Sequence, residues 1–369
     1  MKFVKKYGSI IVSKIVYLVM YDDLVYIMGK NKKKYYDERS KKIGRRKKRK
    51  KGINGFQHKE ANYPYEIDMD TCKRKAPNIF SFQENLEETV KYFSTTVKEL
   101  ERGGFRKQFI IDSRNVTFVT IDVIMYLIAI MKNIKLNTTR QYTFKGYYPY
   151  DDSAKKVYEE SGFSKFVRSK SKRLPANTEK LQIISGYRNL GEEAKKICDF
   201  VIDKFSKDRK YTQKLYSVLI EMMSNVYFHA YNDNQLMKPM WYTYAEYDNK
   251  NVKIVFLDTG IGIANTVHKH NMYEKIVRKF GSRIINDSYL ILSALNGEFR
   301  TNTEEENRGR GLPSIKDFAY SEYCSEFSVL SGKGYCKMEN KGTKELTCYD
   351  VNEEILGTIY MFTIKNCEV

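Results

Sequence analysis

The sequence predicts an α/β protein, and three observations lead there. Between residues 109 and 162, short apolar strand patterns alternate with helical ones. From about residue 181, two long helical patterns give way to apolar strands separated by glycine-rich turns. The chain has 369 residues, is 42% hydrophobic, and carries only 6 Pro and 21 Gly. That balance supplies packed cores and excludes collagen-like, low-complexity and wholly disordered chains. At roughly 100–200 residues per domain, the length corresponds to about two or three domains.

Residues 1–56 read as a basic, partly hydrophobic leader. Ile10 to Met28 is apolar but interrupted by Lys14, Asp22 and Asp23, whereas a spanning helix wants about 20 apolar residues with few charges. No transmembrane span is therefore expected, and no small-residue cleavage site marks a signal peptide. Two readings stay open: one helical face through Val4, Ile11, Ile15, Leu18 and Val25, or a hairpin turning at Asp22-Asp23. Arg45-Arg46-Lys47-Lys48-Arg49-Lys50-Lys51 follows, either a grip on nucleic acid or an anionic surface, or a solvated tether.

Residues 57–83, with Pro64 and Pro77, read as a linker or strap. Ser81 is a candidate N-cap with Glu84 as its capping-box partner, for a helix that runs to about Arg102 and stops at Gly103-Gly104. Then come a strand through Phe109-Ile110-Ile111 ending at Asp112, a helix from Ile121 to Met131, a strand from Gln141 to Lys145, and a helix from Asp152 closed by Gly162. The basic stretch Arg168 to Pro175 reads as an inter-domain linker.

The second half begins with helices at 191–206 and 211–230 and strands at 239–247 and 251–257. A glycine-rich turn, a long polar segment, a second glycine-rich turn opening a helix, and strands near 325–330 and 356–364 complete it. On the second helix, Glu221, Asn225 and His229 recur every four residues and share one face. The strand Val252 to Leu257 ends in Asp258-Thr259-Gly260-Ile261-Gly262-Ile263. An acid there can accept a hydrogen bond from an exocyclic amine, and glycines beside it admit a planar ring. Arg308-Gly309-Arg310-Gly311-Leu312-Pro313 precedes an apolar helix, whose N-terminus and exposed N–H groups favour anions.

Two resemblances follow from these residues. FIIDSRNVTFVTIDVIMYLIAI, with EESGF downstream, resembles a STAS domain, the small α/β fold of anti-sigma-factor antagonists, over residues 84–185. The phosphorylatable Ser of that family is replaced here by Thr120-Ile121-Asp122, and Asp122 suits a helix N-terminus. E-x-x-x-N, D-x-G-x-G and G-x-G-L, in this order, together with the closing Gly357-Thr358, resemble the boxes of the GHKL ATPase superfamily. That resemblance implies a Bergerat-fold α/β sandwich over residues 186–369, a mixed sheet covered by helices, with a lid at 264–308.

The GHKL resemblance also implies roles. Glu221 would activate the attacking water or hydroxyl. Asn225 would hold Mg²⁺. Asp258 would bind the adenine amine with support from Thr358, with Gly260, Gly262 and Ile263 around the base. Arg308, Gly309, Arg310, Gly311 and Leu312 would cradle the phosphates. His229 matches the N-x-x-x-H-A-Y form of anti-sigma-factor serine kinases and is expected to act through a hydrogen bond behind the site. No helix pair bearing an acceptor His precedes the ATP region, which speaks against a sensor histidine kinase.

Charge and cysteines complete the reading. The net charge is +20, but residues 1–56 hold 18 Lys/Arg against 4 Asp/Glu, so most of the excess belongs to the leader. The six cysteines form no C-x-x-C pair; neither a zinc site nor a disulfide framework is expected, and reduced thiols in a cytoplasm are the preferred state. The expected function is an ATP- and Mg²⁺-dependent conformational or dimerisation switch acting on a partner protein. The alternatives are an anti-sigma-type serine/threonine kinase, a nucleotide-sensing scaffold with little turnover, and a nucleic-acid binder for which ATP is secondary.

Overall fold

The computed structural model describes residues 65–67, 71–102, 108–137, 143–163, 178–188, 190–229, 240–268, 286–299, 311–340 and 343–367. The leader, its basic run and the Arg168–Pro175 stretch lie outside these residues. Within 57–83, read from the sequence as a linker, lie three strands: β1 (Tyr65–Ile67), β2 (Thr71–Lys75) and β3 (Ile79–Phe80). Shortness hides β1 and β3 from periodicity, and the polar, basic composition of β2 hides it. Ser81 does cap a turn, its hydroxyl accepting from the Glu84 N–H at 3.1 Å, but helix α1 (Leu86–Arg102) starts just beyond it.

The chain continues through β4 (Gln108–Asp112), β5 (Phe118–Val119), α2 (Ile121–Asn137), β6 (Thr143–Tyr147) and α3 (Asp152–Glu160). Strands β2, β4 and β6 are parallel neighbours and β1 adds antiparallel to β2; β3 and β5 form a separate parallel pair. Asp151 caps α3 by accepting from the Ala154 N–H at 2.9 Å.

The second half contains β7 (Lys180–Gly186), α4 (Gly191–Phe205), α5 (Arg209–His229), β8 (Trp241–Tyr247), β9 (Asn251–Asp258), α6 (Ile263–His268), α7 (Asp287–Leu295), α8 (Gly311–Tyr320), β10 (Cys324–Asn340) and β11 (Lys344–Lys365). Its sheet is antiparallel, in the order β10-β11-β9-β8-β7. The fold is therefore mixed α/β, with a largely parallel and an antiparallel sheet.

Both faces of the antiparallel sheet are buried along β9 and the second half of β11, which explains why these stretches read as unbroken apolar runs rather than alternating ones. Ile254 and Phe256 of β9, with Tyr360 and Phe362 of β11, join the core shared with α4, α5, α7 and α8. Their neighbours Val255, Leu257, Ile359 and Met361 point into a second core, built with Phe82, Phe93 and Tyr126 of the N-terminal layer. Helix α2 lies in that second core, and every residue from Val123 to Met131 is buried. A helix enclosed on all sides is apolar all round.

Helix α1 docks on β11 through polar contacts: Ser94 and Lys98 both donate to Glu353, at 2.9 and 2.7 Å, and Asn352 donates to Glu87 at 3.0 Å. Tyr63–Val369 thus forms one compact unit. Among the described residues no helix is long and apolar enough to cross a membrane.

Two sequence readings need correction. The segment read as wholly polar, between the two glycine-rich turns, contains α7, with Leu290, Ile291, Ala294 and Leu295 buried. Asn286 caps α7 by accepting from the Tyr289 N–H at 3.0 Å, and Asp350 accepts from the Ser288 N–H at 2.8 Å. The cysteines are not all reduced: Cys336 and Cys348 are directly opposed on β10 and β11 and form a disulfide, while Cys72, Cys198, Cys324 and Cys367 are free. Their twelve-residue spacing comes from the tight hairpin, which folds the chain back on itself between them.

Candidate functional site

Strand β9 ends where the sequence placed the acid. Asp258 pairs with Trp241 of β8 on one side and Thr358 of β11 on the other. It is only 6% exposed. Its carboxylate accepts the Gly260 N–H at 2.7 Å and is also hydrogen-bonded by Thr358. Burial outweighs these bonds and pushes the carboxyl up to about 7. A group held near neutrality in a cleft is poised to respond to a ligand.

Ser331 of β10 ties the turn together. Its hydroxyl accepts from the Ile263 N–H at 2.8 Å, donates to the Gly357 carbonyl at 3.1 Å, and lies 3.0 Å from the Thr358 hydroxyl. Gly262 has φ +84°, and a Cβ there would press on the Ser331 hydroxyl at 2.8 Å. No sequence signal marks Ser331, because its role depends on strand pairing between distant segments.

Helix α5 supplies the opposite wall. Glu221 and Asn225 sit one turn apart and face the first residue of α8: a Cβ on Gly311 would stand 2.8 Å from Glu221 Oε2 and 3.3 Å from Asn225 Oδ1. A side chain here would displace the ends of Glu221 and Asn225. Burial raises the Glu221 carboxyl above the ordinary carboxylate range. The Asn225 amide nitrogen is buried and has no hydrogen-bond partner among the described residues. Such an unspent donor is costly unless something binds to it.

Between these walls lies a cavity of about 90 Å³ lined by Met222, Asn225, Asp258, Gly262, Ile263, Thr266, Val267, Leu312, Thr358 and Tyr360. One carboxylate, one amide, two threonines and one tyrosine line an otherwise apolar slot, a pattern that suits a flat, partly polar ligand. Met222, Thr266, Val267 and Tyr360 were not singled out from the sequence. Met222 and Tyr360 read there as ordinary core residues of a helix and a strand.

Of the residues chosen from the sequence, Asn225, Asp258, Gly262, Ile263, Leu312 and Thr358 meet in this cavity, and Glu221 and Gly311 adjoin it. Gly260 supports Asp258 through its N–H. Arg308, Gly309 and Arg310 lie outside the described residues, as do the His229 side chain and much of 264–308. The chain matches no family model, no curated protein and no solved structure.

Proposed function

We propose that the chain binds ATP with Mg²⁺ and hydrolyses it as a conformational or dimerisation switch of the GHKL type. The observation that carries this reading is the meeting, around one slot, of three motifs that run from Glu221 to Leu312: Glu221/Asn225 on α5, Asp258/Gly262 after β9, and Gly311/Leu312 opening α8. The five-stranded sheet with α4, α5, α7 and α8 on one face supports a Bergerat-type arrangement. The β2-β4-β6 sheet with α2 and α3 supports the STAS-like reading of the N-terminal layer.

In this reading the ionised Asp258 carboxylate accepts the purine amine, and Met222, Val267 and Leu312 exclude water from the ring. The N-terminus of α8, with Gly311 and Leu312, receives phosphate oxygens through its free N–H groups. Glu221 takes a proton from the attacking water, and burial, by raising its pKa, makes it a stronger base than an exposed carboxylate.

The donor set fits Mg²⁺. Asn225 offers a hard oxygen, and among the described residues no group of three or more His, Cys, Asp or Glu forms a metal cage, so phosphates and water would complete the shell. Bound there, Mg²⁺ would neutralise phosphate charge.

A serine/threonine kinase is the second reading, favoured by the N-x-x-x-H-A-Y ending of α5. Following γ-labelled ATP with purified protein and candidate partners separates the two. Free phosphate that disappears in Glu221→Ala is expected; label on a protein Ser or Thr would instead establish the kinase. A regulatory protein partner, a homodimer, and contact of Arg45 to Lys51 with nucleic acid or an anionic surface belong to the same proposal. So does a cytoplasmic location, against which the Cys336–Cys348 disulfide weighs, since such bonds persist in oxidising compartments.

A further inference from the structure

The pairing of β10 with β11 steps from Gly332↔Ile355 to Ser331↔Thr358, and the pairing of β11 with β9 begins at Thr358↔Asp258. Leu356 and Gly357 therefore fall between paired positions on the β10 side and precede the first pair on the β9 side. A bulge of this kind strips backbone groups of their ladder partners, and beside a core those groups need replacements.

The replacement for Leu356 comes from the N-terminal layer. The Tyr126 hydroxyl on α2 donates to the Leu356 carbonyl at 2.9 Å and accepts from the Leu356 N–H at 2.8 Å. Tyr126 is fully buried, and its ring packs edge-on against Phe93 and Phe82 with centroids 4.7 and 5.6 Å away, which fixes the hydroxyl.

Gly357, next in line, has φ +82° and presses so closely on Asp258 that a Cβ would overlap the Asp258 carbonyl. Movement of Leu356 is thus passed through Gly357 to Asp258 and Thr358 with little slack. About two turns along α2, Asn133 donates to the carbonyl of Thr259, directly after Asp258, at 3.5 Å.

We propose that Tyr126 is a positioning residue for the Asp258–Thr358 pair, and that it couples the N-terminal layer energetically to the candidate site. Whatever shifts α2 changes ligand affinity, and a ligand in the site steadies α2 by the same free energy. The proposal deepens the nucleotide reading and rests on it for the choice of ligand.

The test compares full-length Tyr126→Phe, which removes only the hydroxyl, with Tyr158→Phe. Tyr158 is a control because its hydroxyl lies 3.2 Å from that of Ser113, in a different part of the N-terminal layer. MgATP affinity by calorimetry is expected to fall about tenfold in Tyr126→Phe and to hold in Tyr158→Phe. Without ligand, the amide resonance of Gly260, whose N–H reports on the Asp258 carboxylate, is expected to shift in the first variant alone. Wild-type affinity together with an unmoved Gly260 resonance in Tyr126→Phe would overturn the proposal. If the wild-type protein does not bind MgATP, the nucleotide reading fails and the Gly260 resonance alone decides the coupling. Should Tyr126→Phe not fold, Asn133→Ala is read by the same two measurements and the same outcomes.

Discussion

Replacing Asp258 with Asn keeps the shape of the side chain and removes its titration. In the folded protein burial holds the Asp258 carboxyl near 7, against an ordinary value of 3.8. Each tenfold change in proton affinity is 1.36 kcal/mol, so the interval corresponds to about 4 kcal/mol. The sign follows from which state keeps the proton. Between about pH 4 and 7 the unfolded chain has lost it and the folded protein retains it. Folding stability therefore falls as pH rises through this window and levels off above about 7. The Asn variant lacks this loss. Urea unfolding of both proteins without nucleotide, at pH 4, 5, 6, 7 and 8, is expected to show Asp258→Asn gaining on the wild type by up to about 4 kcal/mol between the acid and the alkaline end. A large fraction of a typical domain stability of about 5–15 kcal/mol is thus at stake. Ligand binding runs the other way: an amine donor selects the carboxylate, so wild-type MgATP affinity rises between pH 6 and 8 while the variant binds weakly throughout. Wild-type and variant stabilities that stay parallel across the pH range would refute the argument, because a buried carboxyl near neutrality cannot leave the difference unchanged.

Three further outcomes are expected. Gly357→Ala forces a side chain into a left-handed backbone and onto the Asp258 carbonyl; a loss of about 2–4 kcal/mol in urea unfolding is expected, and a loss below about 1 kcal/mol would mean the bend relaxes freely. Gly311→Ala meets only the ends of Glu221 and Asn225. Its stability should stay within about 1 kcal/mol of wild type while phosphate release drops by as much as about 10²-fold; unchanged turnover would separate α8 from the chemistry. Reducing the Cys336–Cys348 bond, or replacing Cys348 with Ser, frees a twelve-residue separation and is expected to lower stability by about 2–3 kcal/mol. Equal urea midpoints with and without reductant would show the hairpin register to be self-sufficient.

Much of the site was legible because its chemistry is written in short local patterns. A four-residue recurrence puts Glu221 and Asn225 on one helix face, and a strand ending in D-x-G-x-G places Asp258 at a sheet end. What stayed hidden depends on distant partners. Ser331 looks like any strand serine until β10 meets the turn after β9. Helix α7 was missed because its apolar stretch is short and set among polar residues. Strands β1 and β3 were missed because two or three residues carry no period, and β2 because its Thr71-Cys72-Lys73-Arg74-Lys75 is polar and basic rather than apolar.

By itself the sequence determined the α/β class, the order of the longer helices and strands from 84 to 366 apart from β7 and α7, and the acid, amide and glycine positions that now ring one slot. Those features follow from hydrophobic period and backbone freedom, which act over a few residues. Only the tertiary structure decided that the two halves share a core. The apolar runs of β9, β11 and α2 announce burial but cannot say against what. Packing α2 onto the sheet supplies the answer. It also places a single buried hydroxyl, that of Tyr126, on the bend that holds Asp258, because a bulge in β11 left backbone groups there in need of a partner.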